Sequence, residues 1–306
     1  MTGPQAVGVG LCMLDELLLL PRYPDADRES AIHATGYCLQ GGGPAATAMV
    51  AAARLGARAG LLAKVGEDDR GRRIVGGLRD AGVDTSRLVT VAGGRSALSI
   101  VCVHAPTGRR SFLIDADPAM RLQPGDLDRD YVASAAVVLI DSFTPAGLAA
   151  AACARDAGRT VVFDAAGVPA DRALLGEALA LTDVMIVSAE FARKFHPAGG
   201  PADAAEAIRR AGPPVAVVTG GPEGAWLAAA GESFHQGAFE VDVVDTTGAG
   251  DVFHGAFLIG LLESWPLRRT CAFAAASAAL ACRALGGRTA IPDRAEVEAL
   301  LRARPT

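Results

Sequence analysis

The sequence predicts an α/β fold of three layers, a mostly parallel sheet with helices on both faces, carrying a small separate β-sheet. Three observations lead there. Short, wholly apolar, β-rich runs alternate with alanine-rich segments of helical spacing, as expected of strands buried on both faces and joined by crossover helices. Two stretches break that alternation. The chain has 306 residues, which fits one large α/β domain with an appendage and is ample for a sizeable core.

The predicted strands are Ala6–Leu11, Ala59–Ala63, Ala136–Ile140, Thr160–Phe163, Val184–Val187 and Val215–Thr219. Between them, Pro44–Leu55, Gly71–Ala81, Pro145–Ala157 and Ala202–Ala211 carry helical spacing. Ala249–Leu262 and Leu267–Ala284 are long helical candidates, and Asp293–Arg302 is a shorter one started by Pro292-Asp293. The first interruption, Leu17–Tyr37, contains Pro21 and Pro24 and reads as non-helical. The second, Ala97–His104, a turn at Ala105–Gly108 and Arg110–Asp115, alternates with period two and reads as a hairpin. The two are expected to pair as a small β-sheet lid, formed by residues 12–38 and 95–117, within a single domain spanning 1–306.

Composition excludes several function classes. The net charge is −5 with no basic run, which argues against a nucleic-acid binder, whose affinity rests on Lys and Arg at phosphates. The six cysteines form no C-x-x-C pair and sit among apolar or small residues. They read as free thiols in a reducing cytosol rather than a zinc site or disulfides. The N-terminus lacks a basic region followed by an apolar core, and no apolar stretch spans a bilayer. A cytoplasmic enzyme that engages no membrane is the expectation.

The chemistry is concentrated in Val243–Phe257, VVDTTGAGDVFHGAF. A strand is expected to end at Val244, with Thr246 and Thr247 as caps. Gly248, Ala249 and Gly250 then open a helix with little side-chain bulk. Unpaired N–H groups and the helix dipole make such a turn an anion site. Asp251 follows in the first turn, placed to take a proton beside a bound phosphate. His254 shares a helix face with it and suggests a packing or supporting role. A second glycine-rich window, Gln40–Gly56, puts Gly41, Gly42 and Gly43 before a nearly bare first turn, permitting close ligand approach. The dinucleotide fingerprint suggested by Gly8-Val9-Gly10 fails, because its next glycine would fall at Met13.

Together these windows resemble the PfkB family of carbohydrate kinases, with the ribokinase-like fold. The C-terminal pattern D-T-x-G-A-G-D and its apolar continuation are met from Asp245 to Leu258, and the N-terminal pattern at Gly42, Gly43, Ala45, Gly56 and Gly66. The departure is Thr47, where most members carry an Asn that helps hold sugar hydroxyls. The resemblance implies ATP-dependent phosphorylation of a small sugar hydroxyl, ketohexose- or pentose-like, with Mg²⁺ on the ATP phosphates. Asp251 would be the general base, and Gly248, Ala249 and Gly250 the catalytic anion hole. Asp15, Gly42, Gly43 and Thr47 would bind the sugar. Thr219, Gly220, Gly221, Gly224, Gly248, Gly250 and Gly287 would lie along the nucleotide. Asp245 and Thr247 would offer oxygens to a monovalent cation such as K⁺. The N-x-x-E element linked to Mg²⁺ is not retained: Ser188 and Phe191 occupy its ends, leaving Glu190 one residue off to act through water. A homodimer formed through the lid is also implied.

The wording of Gly41–Gly56 and Val241–Ala256 is most similar to bacterial sulfofructose kinases, which share Thr47. Against a sulfonate, Ala31, Asp115 and Phe143 stand where that group's basic and amide side chains are expected, and Arg28, Arg95 and Arg110 would have to compensate. A neutral sugar is therefore preferred. The alternatives are a sulfofructose kinase, a nucleoside kinase, which would need an aromatic base pocket in a chain only 5% aromatic, and a non-catalytic sugar- or nucleotide-binding regulator.

Overall fold

The computed structural model describes residues 3–25, 27, 31–165, 168–169 and 171–303. In chain order the strands are β1 (Ala6–Val9), β2 (Met13–Leu20), β3 (Gly36–Gly42), β4 (Ala59–Leu62), β5 (Lys64–Gly66), β6 (Val89–Val91), β7 (Leu98–His104), β8 (Arg109–Asp115), β9 (Val137–Ile140), β10 (Thr160–Ala165), β11 (Val184–Ser188), β12 (Val215–Thr219), β13 (Ala225–Ala229) and β14 (Glu232–Gln236). The helices are α1 (Pro44–Arg54), α2 (Asp69–Asp80), α3 (Arg129–Ser134), α4 (Pro145–Asp156), α5 (Arg172–Leu181), α6 (Ala189–Phe195), α7 (Pro201–Arg210), α8 (Ala249–Leu262), α9 (Leu267–Ala281) and α10 (Arg294–Ala303).

The main sheet has eight strands in the order β14-β13-β12-β11-β10-β9-β1-β4. The run from β12 to β4 is parallel, and β13 and β14 are antiparallel additions. Alternation along each strand feeds two cores. Ala6 and Leu139 join helices α1, α2, α8, α9 and α10 on one face. Val7, Val9, Val138 and Ile140 join α3 to α7 on the other. The three expected layers are present. Local chemistry starts the helices: the side chains of Asp68 and Thr144 accept from the N–H groups of Gly71 and Gly147, and Pro145 presets the first turn of α4.

The second sheet has the order β3-β2-β7-β8. Asp15 pairs with Gln40 on one side and Ser99 on the other. Its inner face is a small apolar cluster of Leu17, Val101 and Val103 against Leu285. The hairpin turn reaches the main body, where Thr246 donates to the Gly108 carbonyl and Arg110 donates to Thr246 Oγ1 at 2.8 Å. Arg28 lies outside the described residues.

One local expectation fails. No strand ends at Val244. Residues 237–248 run as loop, and the N–H groups of Val244 and Asp245 both donate to the Cys282 carbonyl instead of to a neighbouring strand. Gly41 and Gly42 precede α1 as expected and lie in β3, because pairing with Leu14 and Met13 holds the glycines extended. All six cysteines are free, and all but Cys38 are buried. Burial pushes the Cys12 and Cys271 thiols up to about 12 and Cys282 to about 11. A thiol reagent at pH 8 should therefore label Cys38 first, with the remaining thiols reacting only on unfolding. Rapid native labelling of Cys271, read by peptide mass, would contradict this packing.

Candidate active site

The expected anion turn forms at the start of α8. Gly248 is the residue before the helix and has φ +73°, a left-handed conformation open to glycine. It is pressed against the Gly286-Gly287 turn: a Cβ on Gly248 would stand 2.8 Å from Gly287 Cα and 2.9 Å from its carbonyl oxygen. The N–H groups of Gly248, Gly250 and Asp251 have no acceptor among the described residues, whereas Ala249 donates to the Thr246 carbonyl at 3.3 Å. Neither threonine caps the helix. Asp245 holds the turn instead. Its Oδ1 accepts from Thr247 N (2.9 Å) and Thr247 Oγ1 (2.7 Å), and its Oδ2 accepts from Gly286 N (2.8 Å). Asp245 and Thr247, the candidate cation ligands, are thus already engaged with each other and with the opposing turn.

Asp251 sits half-buried on the first turn. Burial pushes its carboxyl up to about 8, the Asp164 carboxylate adds to the shift, and His254 and Arg110 oppose it. Asp164, near the carboxyl end of β10, is likewise raised to about 8 by burial. His254 lies beneath both. Its Nδ1 is 2.7 Å from the Gly250 carbonyl oxygen, while Nε2 lies 3.4 Å from the Ile186 carbonyl oxygen of β11 and 3.6 Å from Asp164 Oδ1. Burial lowers the imidazole's proton affinity, so its supporting role is to tie the first turn of α8 to the sheet.

The sugar side is built on the second sheet and α1. Asp15 lies over Gly42, whose missing Cβ leaves room for the carboxylate. Burial raises Asp15 to about 6, with Arg288 opposing. Gly43, at φ +95°, precedes α1. Thr47 is buried, and its Oγ1 accepts from Arg288 Nε at 3.1 Å, while Arg288 Nη2 donates to the Gly42 carbonyl at 2.9 Å. Arg288 was not anticipated. It fills the neighbourhood in which the usual Asn is replaced by a shorter threonine, and its guanidinium is held close enough to Asp15 for each to perturb the other.

Three further polar groups went unnoticed. Among the described residues, the buried side-chain atoms without a hydrogen-bond partner are Gln40 Nε2, Ser99 Oγ and Asp141 Oδ1. Gln40 and Ser99 flank Asp15 across the second sheet. Asp141 follows β9, and its Oδ2 accepts from Leu11 N (2.8 Å) and Ala45 N (3.1 Å). An aspartate ending an apolar strand was the available signal for both Asp141 and Asp164, since ligands of parallel sheets gather at the carboxyl ends of strands.

On the nucleotide side, Thr219 ends β12 and donates to the Val187 carbonyl at 3.2 Å. Gly220, Gly221 (φ +60°) and Gly224 (φ +92°) make the turn into β13. Ser188 caps α6 by accepting from Phe191 N, and Phe191 is wholly buried. Both ends of the lost N-x-x-E element are therefore structural here. Glu190 is exposed and paired with Lys194 at 2.7 Å. Phe143 packs at a tilt against Phe163 and stacks with Phe191. No group of three or more His, Cys, Asp or Glu side chains among the described residues could hold a metal ion.

The chain is similar to known proteins along most of its length. Residues 8–294 match the model of the pfkB family carbohydrate kinases. The chain is 32% identical over 296 residues to an ATP-dependent ribose-1-phosphate kinase of Halopiger xanaduensis, covering 95% of each. It is 30% identical over 280 residues to a 5-dehydro-2-deoxygluconokinase of Shouchella clausii, covering 85% of this chain and 86% of that one. Among solved structures, an Arabidopsis thaliana ribokinase complexed with ribose and ATP superimposes with a TM-score of 0.82 at 25% identity, covering 98% of this chain and 99% of that one. A ribokinase from Thermotoga maritima shares the fold with a TM-score of 0.83 at 24% identity, covering the same shares. The chain belongs to the pfkB family of carbohydrate kinases, phosphotransferases that act on an alcohol group.

Proposed function

We propose that this protein transfers the γ-phosphoryl group of ATP to a hydroxyl of a small neutral sugar, ketohexose- or pentose-like, with Asp251 as general base. The observation that carries the reading is the pairing of a half-buried carboxylate with free N–H groups on one helical turn. Asp15, with Gly42 and Gly43 beside it, orients the sugar, and Thr47 contributes through its bond to Arg288. Asp251 takes the hydroxyl proton as the oxygen attacks the γ-phosphorus. The Gly248–Gly250 turn meets the charge on the transferring group without needing to reorganise. Thr219, Gly220, Gly221, Gly224 and Gly287 border the nucleotide. Mg²⁺ bound to the ATP phosphates would neutralise their charge; Glu190 could touch its water shell only after releasing Lys194.

The second sheet serves as the lid. The Arg110–Thr246 contact ties it to the loop before the phosphate turn, and closure there would exclude water. The exposed Tyr37 and Leu113 on this sheet support a homodimer formed through the lids. K⁺ activation at Asp245 and Thr247 belongs to the same reading, and so does a cytoplasmic location. No described helix is long and apolar enough to cross a membrane. A sulfonate is disfavoured because Arg95 pairs with Asp115 and Arg110 with Thr246, so the two do not converge on a common anion.

The test is ADP release with ATP and Mg²⁺ across fructose, ribose, 2-dehydro-3-deoxygluconate, sulfofructose and nucleosides. Stimulation by a neutral ketohexose or pentose is expected. Tight sugar binding without turnover would make the protein a sensor instead, and a marked preference for sulfofructose or a nucleoside would overturn the neutral-sugar assignment.

A further inference from the structure

Away from the Gly248 turn, α1, α2 and β3 enclose a cavity of about 810 Å³. This is within the size range of small-molecule sites. Its floor is apolar, from Leu14, Leu39 and Val50, and its polar lining is dominated by guanidinium groups, Arg54, Arg73 and Arg288, against one carboxylate, Asp80. Among the described residues, Arg54 and Arg73 make no salt bridge and donate no side-chain hydrogen bond. Arg288 uses its Nε and Nη2 on Thr47 and Gly42, and its Nη1 lies against Gly41, where only a glycine leaves room for it.

A second observation points the same way. The middle of the wall contributed by α2, between Arg73 and Asp80, is bare, because Gly76 and Gly77 stand side by side in the interior of that helix. Glycine inside a helix is less favourable than alanine by roughly 1 kcal/mol per residue. Packing does not require either one: a Cβ at Gly76 or Gly77 would meet nothing within 4 Å. Two unfavourable residues facing open space, one turn along α2 from Arg73 and in a groove whose α1 wall carries Arg54, are accounted for if a ligand approaches the helix backbone there.

We propose that this groove is a second site, separate from the phosphate turn, that binds a small phosphate-bearing metabolite. Planar guanidinium groups match phosphate oxygens in pairs, and the apolar floor suits the carbon skeleton of a sugar phosphate. The site does not depend on which sugar the enzyme phosphorylates.

The test is calorimetric titration of the whole protein with inorganic phosphate and with ribose 5-phosphate, both with a non-hydrolysable ATP analogue and the preferred sugar saturating the kinase site. Binding of at least one is expected. Equal affinity for both identifies free phosphate as the ligand chemistry, and tighter binding of ribose 5-phosphate identifies a phosphosugar. The Arg54→Ala/Arg73→Ala double variant should lose at least about tenfold in affinity. Gly76→Leu, which fills the bare wall with a better helix former, should abolish binding while the melting temperature holds or rises. Both variants should phosphorylate the sugar at the normal rate without added phosphate, so loss of binding cannot be ascribed to a damaged kinase site. Absence of binding to about 20 mM, or unchanged binding in both variants, would overturn the proposal.

Discussion

Asp251→Asn should lower kcat with the preferred sugar by roughly 10²–10⁴-fold, the usual worth of a positioned general base, while ATP and sugar still bind. Asparagine keeps the size and hydrogen-bonding reach of the side chain but cannot accept the hydroxyl proton. The variant should not lose stability. The folded-state carboxyl is raised to about 8 from an ordinary 3.8, so the native state holds a proton that the unfolded chain releases. Asp251 therefore costs stability increasingly as pH rises from about 3.8 towards 8, and the amide removes that cost. At pH 7 the melting temperature of Asp251→Asn should equal or exceed that of the wild type. Near-normal turnover in this variant would mean that another group takes the proton.

The same carboxyl sets the direction of the pH dependence. A general base works deprotonated, so kcat/KM should rise with pH and level off above about 8. Asp164 lies close enough to raise Asp251 by like-charge repulsion and is itself raised to about 8, so the two titrate as a pair. Asp164→Asn should move the rise in activity to lower pH. A role for Asp164 confined to packing would lower the rate without moving the profile.

The sheet was legible because it is written in local pattern. Runs such as Val184–Val187 and Val215–Thr219 are apolar on both faces and appear as the parallel strands β11 and β12. The phosphate turn was legible for a similar reason: Gly248, Gly250 and Asp251 are adjacent in sequence, and a helix start carries its own electrostatics. What escaped depends on partners distant in the chain. Arg288 acquires its meaning from Thr47, 241 residues away. Gln40 and Ser99 matter because strand pairing sets them on either side of Asp15. Asp245 offered plausible cation oxygens, and only the fold shows that they also hold Thr247 and Gly286. The strand expected before Asp245 is absent because Cys282, on the far side of α8 and α9 in sequence, supplies the acceptor that a neighbouring strand would have supplied.

Gly248→Ala should be nearly as damaging as loss of the base, although it adds one methyl group and removes no functional atom. Two costs arise together. The left-handed conformation at φ +73° is unfavourable for a residue with a Cβ by roughly 1–2 kcal/mol. The new Cβ would also stand 2.8 Å from Gly287 Cα and 2.9 Å from its oxygen, distances at which backbone on one side must move. The Asp245 carboxylate ties both sides of that contact, holding Thr247 and Gly286 at once, so neither can yield alone. A shift of the turn moves the Gly248 and Gly250 N–H groups away from the phosphoryl oxygens. Losing one such donor commonly costs about 10²–10³-fold in rate, and misplacement by about 1 Å can cost about 10²-fold. The expected result is kcat reduced by about 10²–10³-fold, with sugar affinity little changed because Asp15 and Thr47 lie on other elements. Gly250→Ala is the control. A Cβ at Gly250 meets nothing within 4 Å and helical φ suits alanine, so the protein should keep its stability and lose far less activity. Equal loss in the two variants would mean that bulk anywhere on the turn, rather than its backbone geometry, is what the reaction cannot tolerate.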